Sequence, residues 1–84
     1  MTIDELRLKI NEIDEKMLEL FKARMAVSKA IGAAKKAQGL PVFDASREQQ
    51  VLDRLKVQLN DDQMWPYVEA FVKEIIRLSK EIQK

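Results

Sequence analysis

Neither cysteine nor histidine occurs in this chain of 84 residues. Without cysteine no disulfide can form, and a reducing compartment is the natural expectation. Losing both residue types also removes the commonest metal ligands, the commonest general base and the usual thiol nucleophile. Neither a metal nor a cofactor is expected, and any chemistry must use Arg, Lys, Asp, Glu, Ser or Gln. No run approaches the ~18 apolar residues of a membrane span, and the first residues lack a basic-then-apolar signal pattern. The expectation is a soluble, cytoplasmic protein. Charge of one sign is also missing, since 15 basic and 14 acidic residues intersperse to a net +1. That balance argues against nucleic acid or an anionic membrane as partner.

Glycine and proline are scarce, two of each, and the first of them is Gly32. Nothing before it breaks a helix. What is there instead is a strict three-four alternation: Ile3, Leu6, Ile10, Ile13, Met17, Leu20, Arg24, Val27, Ile31, Ala34. This is a heptad seam, widened by Leu18, Phe21 and Met25 into a face suited to a multi-helix core. Gly32 inside the pattern costs helix propensity, and close approach of another helix would explain it. Thr2 and Glu5 offer a capping box, while Gly39 and Pro41 mark the end.

A helix over residues 3–38 would be roughly 54 Å long, against a diameter of about 30 Å for a compact chain of this size. Such a helix cannot be covered by its own chain, so a second copy is implied. Asp44 or Ser46 can cap a second helix over about 45–59, and Pro66 suits the first turn of a third over about 63–83. The fold expected is all-α: a single domain over 1–84, three helices per chain, assembled as an intertwined homodimeric helical bundle.

Several polar residues stand on the wrong face. Arg24 in the seam reads either as a buried ion pair or register device, or as a ligand donor. Lys35 lies 11 residues on, within about 20° of Arg24's direction and roughly 16 Å along the axis. Lys36 points about 100° further round and reads as solvated. Ser79 and Gln83 form an i, i+4 pair on the inner face of the third helix, although each alone reads as a small core residue and a fraying end. Together these residues describe a polar cavity with cationic donors and no base. Arg7 points about 100° away from Arg24; it is either a solvated arginine or a residue reaching a second chain's site. The segment Leu40-Pro41-Val42-Phe43-Asp44-Ala45-Ser46-Arg47-Glu48 brings further charge to a helix start, where anions are favoured.

Taken in order, Leu6-Arg7, Ile10, Ile13-Asp14, Arg24, Lys35, the Leu-Pro-Val-Phe-Asp stretch to Asp44, Arg47-Glu48, Ser79 and Gln83 resemble the all-helical chorismate mutases over essentially the whole chain. The resemblance implies a [3,3] pericyclic rearrangement of chorismate to prephenate, on the route to aromatic amino acids. Conformational restraint and electrostatic stabilisation would do the work, without covalent or acid/base steps. It implies that Arg24, with Arg7 from the other protomer, binds the two carboxylates, supported by Arg47 and with Ser79 close to one of them. Lys35 and Gln83 would donate to the ether oxygen, and Glu48, with backbone near Asp44, would hold the ring hydroxyl. Two other readings remain open: a regulatory chorismate- or prephenate-binding domain of a fused or partner enzyme, and a non-catalytic helical dimerisation module.

Overall fold

The computed structural model describes all residues, Met1–Lys84, as three helices with no strand. Helix α1 spans Ile3–Gln38, α2 Ala45–Leu59 and α3 Trp65–Gln83. Local chemistry sets most of these ends. Thr2 Oγ1 accepts from the Glu5 amide at 3.1 Å, which satisfies one of the free N–H groups of the first turn. At the other end Gly39 adopts a left-handed φ of 70°. Its N–H reaches Lys36 O, and the Leu40 N–H reaches Lys35 O at 2.8 Å. These two bonds make a Schellman cap. Asp44 caps α2 by accepting from the Arg47 amide at 3.0 Å. Asn60, also left-handed with φ 48°, ends it, a conformation its short polar side chain tolerates.

Helix α3 starts two residues later than the sequence pattern places it. Asp61 Oδ1 accepts from the amides of both Gln63 and Met64, so those donors serve a turn and the helix begins at Trp65. Pro66 then occupies the first turn, where its missing N–H costs nothing.

The hydrophobic core lies between α2 and α3, where Val51 and Leu52 meet Val72 and Ile76, flanked by Leu55, Trp65 and Val68. Helix α1 joins through a different stripe from the heptad seam. Its buried residues are Met25, Ser28 and Gly32, each one position after a seam residue and therefore about 100° round the helix. Gly32 is where α3 crosses: a Cβ there would sit 2.8 Å from the Gln83 Cα. The close approach expected at this glycine is real.

The seam itself stays exposed. Ile10 and Ile13 are each 55% exposed and Leu20 70%. The molecule measures 54 × 26 × 16 Å with a radius of gyration of 15.9 Å, against about 12 Å for a compact chain of this length. Only 8 of 84 residues are buried, so a single copy leaves most of its apolar surface in water. No helix is long and apolar enough to cross a membrane.

Candidate active site

A cavity of about 210 Å³ opens where the C-terminal half of α1, the start of α2 and the end of α3 converge. Seven polar residues singled out in the sequence line it: Arg24, Lys35, Asp44, Arg47, Glu48, Ser79 and Gln83. The cap chemistry explains part of this convergence. The Schellman turn after Lys35 folds the chain back, so that Lys35 Nζ donates to Val42 O at 2.9 Å. The Asp44 cap then aims the first turn of α2, carrying Arg47 and Glu48, at the same space.

Lys35 also donates to Gln83 Oε1 at 3.2 Å. Two of its three N–H donors are thus engaged, leaving one for the cavity. Because the Gln83 carbonyl oxygen faces Lys35, its NH₂ group remains free as a second donor. The absence of a Cβ on Gly32 lets the α3 backbone come close enough for this pairing.

Further along α1, Arg24 donates to Ser79 Oγ. Ser28 Oγ donates to the same oxygen at 3.2 Å, so the Ser79 hydroxyl proton stays available to a ligand acceptor. Burial pushes the Arg24 pKa down from its ordinary value, and the like charges of Arg47 and Arg54 add to the effect. An anion in the cavity would offset these effects by favouring the charged guanidinium. Arg47 is exposed and pairs with no carboxylate. Asp44 commits one carboxylate oxygen to its cap.

Glu48 holds an ion pair with Lys80 at 3.4 Å through Oε1, while its Oε2 is buried without a hydrogen-bond partner. A buried acceptor left unmatched costs about 1–3 kcal/mol, and it points to a donor supplied by a ligand. Lys80 and Ser28 were not singled out in the sequence. Lys80 follows Ser79 in a helix rich in charge, and only the packing of α3 against α2 reveals that it faces Glu48.

Arg7 lies elsewhere. It is 74% exposed and its only ionic contact is Asp4 at 3.9 Å. Seventeen residues from Arg24, it stands about 25 Å away along the helix axis. It cannot reach this cavity within one chain. A second, larger apolar trough of about 620 Å³ separates the middle of α1 from α2 and α3; Met17, Phe21, Val51, Leu55 and Phe71 line it, with Arg24 and Arg54 at its polar edge. Asp14, one of the residues that carry the resemblance, lies there too.

The cavity wall thus presents several cationic groups and, at Lys35 and Gln83, two sources of free N–H donors. Comparisons with known proteins bear on the family rather than on the individual side chains. The sequence profile described as chorismate mutase type II matches residues 6–84. A chorismate mutase of Methanocaldococcus jannaschii is 38% identical over 52 residues, covering 62% of this chain and 52% of its own length. An intracellular chorismate mutase of Mycobacterium tuberculosis is 46% identical over 52 residues, covering 62% of this chain and 50% of its own length. The chain thus spans about half the length of the curated relatives it matches. Among solved structures, a conserved hypothetical protein from Pyrococcus furiosus superposes with a TM-score of 0.80 at 33% identity, covering 100% of this chain and 97% of its own. By the match over residues 6–84, the chain belongs to the chorismate mutase type II family.

Proposed function

We propose that this protein converts chorismate to prephenate, and that it does so as a homodimer in which Arg7 of the partner subunit completes each cavity. The observation that carries the reading is the pairing of Lys35 with Gln83 at 3.2 Å on the wall of the cationic cavity. Chorismate carries two carboxylates and an ether bond that breaks as a carbon–carbon bond forms. The rearrangement needs no nucleophile, base or metal, and the negative charge developing on the ether oxygen calls for preorganised donors. Lys35 and Gln83 offer one free N–H source each. Arg24 and the Ser79 hydroxyl bind one carboxylate, Arg47 supports the cationic wall, and Glu48 accepts from the ring hydroxyl. Asp44 positions Arg47 and Glu48 through its cap, with its backbone alongside the hydroxyl. Held in this way, the flexible substrate stays in the compact geometry in which its two reacting ends meet.

The exposed seam supports the dimer. Leu6, Ile10, Ile13, Met17 and Leu20 lie along one face of α1, and the 620 Å³ trough beside that face is lined chiefly by apolar side chains. A second α1 placed antiparallel along the first would fill the trough and carry its own Arg7 towards the other chain's Arg24. At about 210 Å³ the single-chain cavity is also smaller than the ~300–1,000 Å³ usual for small-molecule sites, as a half-built site would be.

Loss of chorismate absorbance with purified protein, with prephenate identified by NMR, is the deciding measurement. Accelerated conversion is the expected result. Tight binding without acceleration would establish a regulatory domain instead, and absence of both would leave only a dimerisation module.

A further inference from the structure

We infer that Lys80 is a positioning residue for this reaction, acting through Glu48; the inference rests on the mutase reading. Lys80 Nζ meets Glu48 Oε1 at 3.4 Å and stands 4.9 Å over the Phe43 ring. It therefore ties α3 to the first turn of α2 and to the loop before it. A carboxylate terminates in a torsion with a broad, two-fold profile, so an unanchored Glu48 would present either oxygen in many orientations. Anchoring Oε1 leaves Oε2 as the acceptor, and Oε2 is the oxygen that is buried without a partner. The aromatic face adds a second attraction that holds the ammonium where it is.

Charge points the same way. Arg24, Lys35, Arg47 and Lys80 line the cavity against Asp44 and Glu48, four cations to two carboxylates. Within one chain the surplus is two positive charges, and Arg7 of the partner subunit would add a third, which suits a dianion. Without Lys80 the single-chain surplus falls to one, and Glu48 faces the substrate as an unpaired negative charge. Lys80 and Glu48 are both partly buried, with side chains 31% and 26% exposed, so solvent screens this pair less than a surface pair.

A double-mutant cycle on the intact chain tests the assignment, using Lys80→Met, Glu48→Gln and the two combined. Glu48→Gln keeps an acceptor oxygen for the hydroxyl but has no charge for Lys80 to hold. Lys80→Met alone should lower kcat/KM about tenfold, mostly through KM, and in the Glu48→Gln background less than about twofold. Lys80→Arg should remain within about threefold of wild type, because it restores the ion pair. Lys80→Gln gives the same comparison if Lys80→Met does not fold. Equal losses in both Glu48 backgrounds, or an arginine variant as impaired as the methionine one, would mean that Lys80 serves packing alone and would overturn the assignment. Wild-type protein that fails to turn over chorismate overturns the mutase reading and this inference together; wild-type turnover with an additive cycle overturns this inference only.

Discussion

Lys35 carries three N–H donors, and two of them are spent inside the chain, on Val42 O and Gln83 Oε1. The third is the donor proposed for the substrate's ether oxygen. Truncation to alanine removes it and also releases the Gln83 amide, which loses the contact that orients it. Removing one donor of this kind typically costs about 10²–10³ in rate, so Lys35→Ala should lower kcat by at least that much. Steady-state kinetics checks it, and a variant with wild-type kcat would remove Lys35 from the proposed chemistry. The shared direction of Arg24 and Lys35 was legible from helix periodicity, because angle along a helix depends on residue number alone. Ser28 and Lys80 were not. A serine on a helix reads as filler and a lysine as solvated, until another helix is packed against each of them.

Helix α1 presents two faces to two different neighbours. The seam through Leu20 and Arg24 is the conspicuous apolar pattern, whereas the chain's own α3 packs on the adjacent stripe of Met25, Ser28 and Gly32. Small residues in that stripe let the helices approach closely. Gly32→Ala should gain about 1 kcal/mol of helix propensity, yet its Cβ would meet the Gln83 backbone at 2.8 Å. The end of α3 must shift, and Gln83 with it. Misplacement by about 1 Å can cost 10²-fold, so kcat should fall about 10- to 100-fold while circular dichroism stays helical. Unchanged kcat would show that Gln83 is not held by this crossing.

Helix α3 also carries an exposed pair on its outer face, Arg77 Nε to Glu74 Oε2 at 3.0 Å. That hydrogen bond, followed by the Arg77 charge, holds the Glu74 pKa below its ordinary value despite an opposing desolvation effect. A lowered carboxylate pKa contributes stability above the ordinary glutamate range, and that contribution is lost as pH falls through the lowered value. Glu74→Gln should therefore flatten part of the acid limb of a pH-stability curve and leave neutral-pH kinetics unchanged. Thermal melts across that acid range provide the check.

At the scale of the whole molecule, length and burial disagree with a solitary chain. A helix of 36 residues extends well beyond the α2–α3 core, and only 8 residues of 84 are buried. The proposed dimer would reconcile the two, and it would make Arg7 and Arg24 members of one site drawn from different chains. Arg7→Ala and Arg24→Ala should each be inactive alone. On mixing, half the dimers become heterodimers with one intact site of two, so activity should recover to about a quarter of wild type. Recovery is read by the same absorbance assay, with subunit exchange verified independently. Exchange without recovery would place each site within one chain. If the fold depends on this association, thermal stability should also rise with protein concentration, as mass action requires.

The amino-acid order determined those features that depend on neighbours in sequence. These include the all-helical class, the caps at Thr2, Gly39 and Asp44, the excess length of α1, and the common direction of Arg24 and Lys35. Tertiary structure decided what depends on contacts between distant residues. It selected the Met25–Ser28–Gly32 stripe over the seam as the intrachain face, delayed α3 to Trp65 by giving two amides to Asp61, and set Lys80 against Glu48 across 32 positions of chain. Periodicity reports which residues share a face. Which neighbour that face meets is settled by how helices cross, and at Gly32 a missing Cβ sets the distance.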